Sequence, residues 1–147
     1  MIERIDTVAK AEYPDVVAVW EASVRATHHF LEEKDIQFYK PLILNQYLGA
    51  LDLACVRGDE GKPVGFVGVA GDKIEMLFID PAMRGKGIGK SLLTYAISTL
   101  AVTRVDVNEA NEQAVGFYRR MGFQTTSRSE RDSMGKPFPL LHMELVQ

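Results

Sequence analysis

The chain has 147 residues, of which 46% are hydrophobic and 25% charged, and its formal net charge is −3. This length and balance are typical of one soluble globular domain, which we expect residues 1–147 to form. The negative charge disfavours a nucleic-acid binder held by bulk electrostatic attraction. The chain's apolar runs are shorter than the ~20 residues of a membrane helix, and its first residues carry charges where a signal peptide is apolar. The single cysteine cannot form an intrachain disulfide. We therefore expect a cytoplasmic protein that binds neither nucleic acid nor membranes.

Hydrophobic periodicity and breakers predict the elements in chain order. The first part contains a short strand, two helices and three strands, and we expect Asp35 to cap the second helix and Pro41 to interrupt it. These elements are predicted at residues 2–6, 12–27, 35–48, 51–57, 64–70 and 73–79. The second part alternates helix and strand and then ends in two strands. Its elements are predicted at residues 87–100, 104–107, 112–121, 123–131 and 140–146.

This order predicts an α/β fold, a mixed sheet of about six to seven strands flanked by about four helices. The strand at 73–79, the helix at 87–100 and the strand at 104–107 form a candidate crossover unit. Such a unit makes its two strands parallel neighbours.

A glycine-rich segment lies between the strand at 73–79 and the helix that follows it. Alternate glycines leave space for a ligand to approach the backbone, and the N–H groups in the first turn of a helix are free to bind an anion. Basic side chains add positive charge. This glycine loop consists of Arg84, Gly85, Lys86, Gly87, Ile88, Gly89 and Lys90. It predicts a phosphate or pyrophosphate site.

Three phosphate-binding patterns compete for the glycine loop. A P-loop ends in Gly-Lys-Ser/Thr, as Gly89, Lys90 and Ser91 do, but its first glycine would fall at Arg84. A dinucleotide-binding loop reads G-x-G-x-x-G, whereas this one reads G-x-G-x-G. The pattern Arg/Gln-x-x-Gly-x-Gly/Ala fits completely, through Arg84, Gly87 and Gly89.

A second motif follows downstream and reads Asn111-x-x-Ala114-Val115-x-Phe117-Tyr118-x-x-x-Gly122-Phe123. Upstream of the glycine loop stands Leu77-Phe78-Ile79-Asp80-Pro81. In this order and spacing, the three segments resemble the signature of the GNAT family of N-acetyltransferases. The resemblance covers residues 73–123 and implies a GNAT-like acyl-CoA N-acyltransferase fold, with acetyl-CoA as cofactor and no metal.

The resemblance also implies how acetyl-CoA binds. In the family, the strand that matches 73–79 diverges from the strand that matches 104–107, and the pantetheine arm lies in the gap. The backbone of Leu77, Phe78 and Ile79 would contact this arm and the acetyl carbonyl. The glycine loop would hold the pyrophosphate, and Asn111, assisted by Asn108, would bind the cofactor from the opposite wall.

Acetyl transfer to an amine needs a proton acceptor and a proton donor. An alkylammonium with a pKa of about 10 must lose a proton before it attacks, and the leaving thiolate must gain one. The resemblance places a tyrosine beside the cofactor's sulfur, which makes Tyr118 the candidate acid. Two carboxylates are alternative candidates for the base. They are Glu75, on the strand before the glycine loop, and Asp106, which faces away from its two valine neighbours.

The acceptor pocket is predicted at the break between the first two helices, where His28, His29 and Phe30 lie. The resemblance implies direct transfer in a ternary complex, and homodimers are common among such folds. The acceptor stays open among a protein N-terminus, a lysine, a polyamine, an amino acid and an aminoglycoside. Two alternative functions also stay open: a CoA-binding sensor without turnover, and a nucleotide-binding enzyme.

Overall fold

The computed structural model describes residues 4–146, and in this range seven strands and four α-helices follow one another in the predicted order. The strands are β1 (Ile5–Thr7), β2 (Asp52–Arg57), β3 (Pro63–Ala70), β4 (Lys73–Ile79), β5 (Arg104–Asn108), β6 (Phe123–Ser129) and β7 (Leu140–Leu145). The helices are α1 (Tyr13–Thr27), α2 (Glu33–Leu42), α3 (Ile88–Thr99) and α4 (Glu112–Arg120). The mixed α/β fold expected from the sequence is confirmed. Within this range, the helices are too short or too polar to cross a bilayer.

One sheet contains all of these strands, in the order β1-β2-β3-β4-β5-β7-β6. Neighbouring strands are antiparallel except β4 and β5, which form the parallel pair predicted from the crossover. Their pairing is limited to Lys73 with Arg104 and Ile74 with Val105. Because β4 continues to Ile79, its second half diverges from β5, and a gap opens in the middle of the sheet.

Two hydrophobic clusters cover the two faces of the sheet. One cluster includes Leu92 of α3 and residues of α4, and the other includes Trp20 of α1 and residues of α2. Consecutive strand residues join opposite clusters, as Phe66 and Val67 do, because side chains alternate across a strand. This packing fixes the position of β4, the strand that forms part of both cavities described below.

The second helix differs from its prediction at both ends. Asp35 is not the capping residue, because α2 begins at Glu33 and its N-cap is Glu32. The Asp35 carboxylate instead accepts a hydrogen bond at 2.9 Å from the backbone N–H of Glu32, the reciprocal contact of a capping box. The α-helix ends at Leu42, just after Pro41, and a π-helical segment follows at Ile43–Tyr47. Proline inside a helix removes a backbone donor, which is consistent with this change of pitch.

The first strand is also shorter than the prediction of 2–6. It covers Ile5–Thr7 in the structure, and residues 2 and 3 lie outside the described range. The other element boundaries differ from their predictions by only one or two residues.

Candidate active site

A cleft of about 440 Å³ opens where β4 diverges from β5. We call it the loop cleft, because the glycine loop and the first turn of α3 form one side and α4 forms another. Ten of the predicted cofactor-binding residues line it, namely Leu77, Phe78, Ile79, Arg84, Gly85, Gly87, Ile88, Gly89, Lys90 and Asn111. Lys86 is exposed to solvent and does not line it. Asn108 lines a second cavity instead, because it shares a strand face with Asp106.

The backbone of the glycine loop leaves N–H groups free beside open space. Gly85 and Gly87 have φ values of 75° and 80°, which disfavour any side chain, and the space beside both is open. The first helical hydrogen bond of α3 runs from the N–H of Ser91 to the carbonyl of Gly87, at 3.0 Å. The preceding N–H groups therefore have no acceptor within the helix and are available to a phosphate.

Tyr118 reaches the loop cleft from α4. Its ring packs edge-on against Phe117 and Phe123, with centroids 5.3 and 5.6 Å away. The residue is 5% exposed, and this burial raises the pKa of its hydroxyl above the usual range. The phenol therefore stays protonated at neutral pH, which suits a hydrogen-bond or proton donor.

A second cavity, of about 620 Å³, lies beside the loop cleft. We call it the aromatic cavity, because six aromatic residues line it: Trp20, Phe30, Tyr39, Tyr47, Phe78 and Phe138. Its charged lining residues are Lys73, Glu75, Asp106 and Asp132. Both candidate bases and two predicted pocket residues, His28 and Phe30, thus lie in one cavity. His29, the third predicted pocket residue, is exposed and lines neither cavity.

The loop between β6 and β7 closes one side of the aromatic cavity. The Asp132 carboxylate accepts hydrogen bonds at 2.9 Å from the backbone N–H groups of Met134 and Lys136. The hydroxyl of Tyr39, on α2, donates to the same carboxylate. Phe138 packs against Phe30 with ring centroids 5.6 Å apart. These contacts hold the loop over the cavity, so the wall is set by residues distant in the chain.

The two candidate bases have different surroundings. Asp106 accepts hydrogen bonds from Lys73 at 2.9 Å and from Nδ1 of His142 at 2.6 Å, and Nε2 of that histidine lies 2.6 Å from the Ser129 hydroxyl. Burial alone would raise the pKa of Asp106, but the hydrogen bonds from His142 and Lys73 outweigh it and lower this pKa. Glu75 has one ionic partner among the described residues, Lys73, at 3.4 Å. Its carboxylate therefore has fewer partners than that of Asp106.

His28 lies where the two cavities meet. It lines both of them, as does Phe78 of β4. Burial, with smaller contributions from the positive charge of Arg84 and from His29, lowers the pKa of His28 to about 4. The imidazole is consequently neutral at physiological pH.

Several residues of the two cavities did not emerge from the sequence. Lys73 alternates with Glu75 along β4, so the strand period could have placed it beside the carboxylates. His142 contacts Asp106 only through the β5–β7 register, which pairs these two residues. Gln113 and Arg120 line the loop cleft, and their helical spacing from Phe117, four residues before it and three after it, could have indicated them.

Comparison with known proteins agrees with this geometry. Residues 25–146 match the family model described as an acetyltransferase (GNAT) domain. The chain is 42% identical to the peptidyl-lysine N-acetyltransferase YjaB of Escherichia coli (strain K12) over 146 residues, which cover 99% of both proteins. It is 43% identical to the protein of the same name from Salmonella typhimurium over 128 residues, 87% of this chain and 88% of that one.

Solved structures extend the comparison. The solution structure of apo-form YjaB from Escherichia coli superposes with a TM-score of 0.87 at 39% identity and covers 99% of both chains. The PaiA N-acetyltransferase of Thermoplasma acidophilum, solved in complex with coenzyme A, shares the fold with a TM-score of 0.73 at 18% identity, over 98% of this chain and 99% of that one. The chain therefore belongs to the GNAT family and is an acetyl-CoA-dependent N-acetyltransferase.

Proposed function

We propose that this enzyme transfers the acetyl group of acetyl-CoA to the side-chain amine of a lysine, by direct attack in a ternary complex. The observation that carries the proposal is that the loop cleft and the aromatic cavity meet at His28 and Phe78. A thioester in the first and an amine in the second can therefore come into contact. Cys55 is buried and lines neither cavity, which disfavours an acyl-cysteine intermediate.

Acetyl-CoA fits the loop cleft in the orientation that the family resemblance implies. The free N–H groups of the glycine loop would bind the pyrophosphate, and each hydrogen bond to a charged group contributes roughly 1.5–3 kcal/mol. The second half of β4 leaves backbone groups unpaired on the side facing β5, and an extended pantetheine arm could pair with them. This arrangement brings the acetyl group toward Phe78 and His28.

A lysine side chain matches the aromatic cavity in two respects. Its aliphatic stem would pack on the aromatic walls, and its ammonium group would be attracted to the carboxylates of Glu75 and Asp106. The YjaB relatives, which share about two-fifths of their residues with this chain, are named peptidyl-lysine N-acetyltransferases. A lysine in a peptide or protein is therefore the acceptor that we propose.

Of the two carboxylates, we assign the first deprotonation of the acceptor to Glu75. Asp106 is already bound by Lys73 and His142, and its lowered pKa makes it the weaker base. The role of Asp106 is then to hold Lys73 and to contribute negative charge to the cavity. The amine, once neutral, attacks the thioester carbonyl carbon.

Tyr118 is the proposed donor to the leaving thiolate. Burial raises the pKa of its hydroxyl, so the phenol keeps its proton until the thiolate forms beside it. The hydroxyl would first hydrogen-bond the sulfur and then transfer its proton as the carbon–sulfur bond breaks.

A CoA-release assay tests the acceptor. The substrates are a lysine peptide with a blocked N-terminus and the same peptide with Nε-acetyl-lysine and a free N-terminus. We expect release with the first and little with the second. Release of CoA with the second peptide alone would show that the acceptor is an N-terminal amine and not a lysine side chain.

Replacing Tyr118 with Phe tests the acid. We expect kcat to fall by about 100-fold, typical of losing a general acid, while the affinity for acetyl-CoA measured by calorimetry stays the same. Tyr95→Phe is the matched control, since Tyr95 is partly buried on α3 and lines neither cavity. Full turnover of Tyr118→Phe would rule the role out.

A further inference from the structure

His28 is held by hydrogen bonds on both of its ring nitrogens. It follows the last residue of α1, and its ring lies 5.2 Å from that of Phe30 and 6.1 Å from that of Phe78, measured between centroids. Nδ1 is 2.8 Å from the hydroxyl oxygen of Thr27, and Nε2 is 3.4 Å from Nδ2 of Asn111. The imidazole is thus fixed in orientation between the two cavities.

These partners determine which nitrogen carries the proton. The Thr27 hydroxyl donates its only hydrogen to the carbonyl of Ser23, at 2.8 Å, so its contact with Nδ1 requires an N–H on the imidazole. Asn111 uses its side-chain oxygen to accept from the N–H of Ala114, at 3.2 Å, which turns its NH₂ group toward His28. Nε2 therefore keeps its lone pair, and the 3.4 Å contact engages it only weakly.

The reaction requires two proton removals from the acceptor nitrogen. A primary ammonium loses one proton before it attacks, which we have assigned to Glu75. After the nitrogen bonds to the carbonyl carbon it is again a positively charged ammonium, and a second proton must leave before the amide forms. The residue that accepts this second proton has to lie within hydrogen-bond reach of that nitrogen after it has bonded to the thioester carbon, where the two cavities meet.

We propose that Nε2 of His28 accepts this second proton, an inference that rests on the proposed acetyl transfer. As the carbon–nitrogen bond forms, the N–H proton passes to Nε2, and as the carbon–sulfur bond breaks, the Tyr118 hydroxyl gives its proton to the sulfur. The imidazolium and the phenolate then exchange one proton through solvent. The second removal therefore consumes no external acid or base.

A weak base suffices at this stage, and the cofactor strengthens it. An ammonium attached to a carbon that also bears oxygen and sulfur is much more acidic than an alkylammonium. After burial, the largest contribution that lowers the pKa of His28 is the charge of Arg84, which a pyrophosphate on the glycine loop would neutralise. The other charged groups that line the loop cleft are Lys90 and Arg120, and those that line the aromatic cavity are Lys73, Glu75, Asp106 and Asp132.

The kinetic test compares His28→Gln with His29→Gln. Glutamine keeps a polar side chain but cannot take up a proton, and the adjacent His29 lines neither cavity, so it is the matched control. With a lysine peptide we expect kcat of His28→Gln to fall by about 100-fold, with KM, acetyl-CoA affinity and melting temperature unchanged. His29→Gln should have the kcat and KM of the wild type.

A peptide with thialysine, whose amine is less basic, separates the two proton removals. Glu75→Gln should recover on this peptide and at alkaline pH, because the first proton is then lost without help. His28→Gln should recover under neither condition. Three results would overturn the assignment: turnover of His28→Gln within about threefold of wild type, recovery of His28→Gln on the thialysine peptide, or a change only in its KM.

An NMR titration tests the same residue without an acceptor. The chain has three histidines, so His29→Gln and His142→Gln variants assign the signals. We expect the pKa of His28, about 4 in the free enzyme, to rise when CoA binds and not when pantetheine, which lacks the pyrophosphate, is added. An unchanged pKa with CoA would contradict the coupling to Arg84. If the wild type acetylated no lysine peptide, the acceptor proposal would fail. The titration would still show whether CoA raises the pKa of His28.

Discussion

The loop cleft and the aromatic cavity are built in opposite ways. The loop cleft takes its free N–H groups from consecutive residues of one segment, 84–90, at the start of α3. The aromatic cavity takes its walls from side chains of α1, α2, β4, β5 and the β6–β7 loop. The proposed cofactor site therefore depends on a local backbone shape, whereas the proposed acceptor site depends on how distant segments pack.

A backbone site tolerates most side-chain changes but not a change in the φ angles of its glycines. A side-chain site can be altered one wall at a time without loss of the fold or of the cofactor. Variants at the two sites should therefore separate cofactor affinity from acceptor turnover.

Among variants that compare the two cavities, the largest effect is expected at the carboxylates. Glu75→Gln should lower kcat/KM for a lysine peptide by about 100-fold, because it removes the freer base. Asp106→Asn should lower it by less than about tenfold, because that carboxylate is already engaged by Lys73 and His142. The measurement is the initial rate at neutral pH. The reverse ranking would exchange the two roles.

The next effect concerns the shape of the glycine loop. Gly87→Ala forces a side chain into a residue with φ of +80° and should raise the Kd for acetyl-CoA about 30-fold, equivalent to about one charge-assisted hydrogen bond. Gly71→Ala is the control, because Gly71 also has a positive φ, of +61°, and open space but lies in the β3–β4 turn. Both variants should lose about 1 kcal/mol of stability from backbone strain. If calorimetry found equal Kd values of acetyl-CoA for Gly87→Ala and Gly71→Ala, the glycine-loop backbone would not be the binding site.

A smaller effect is expected from the wall of the aromatic cavity. Phe138→Ala should raise KM for the peptide about tenfold, since it removes an apolar surface that packs on Phe30, and should leave acetyl-CoA affinity unchanged. Phe38→Ala is the control, because Phe38 is 40% exposed and does not line the cavity. Steady-state kinetics with varied peptide distinguishes them. A weakened acetyl-CoA affinity in Phe138→Ala would show that the two sites are not separable.

The smallest effect separates two basic residues of the glycine loop. Arg84 lines the loop cleft and Lys86 does not, although the sequence predicted both as cofactor contacts. Arg84→Gln should weaken acetyl-CoA binding about fivefold and Lys86→Gln less than about twofold, with the difference shrinking at high salt. Equal effects would mean that Lys86 reaches the bound cofactor.

Much of the fold was predictable because its signals are local. The period of the α3 stripe and the strand alternation of β4 gave boundaries within one residue of the structure. The cap of α2 was misplaced because Asp35 and Glu32 can each fill a capping role, and only the helix start decides between them. The two bases could not be ranked from sequence, since the partner of Asp106 comes from the β5–β7 register.

The order of the elements, the glycine loop and the motif around Asn111 and Tyr118 could be recognised from the sequence alone. These features are local, since spacing along the chain sets helix faces and backbone amides. The gap between β4 and β5, the lowered pKa of Asp106 and the position of His28 arise only from the three-dimensional packing. His28 and Asn111 are 83 residues apart in the chain, and Asp106 and His142 are 36 apart. Contacts at such separations depend on strand register and helix packing, which no local pattern encodes.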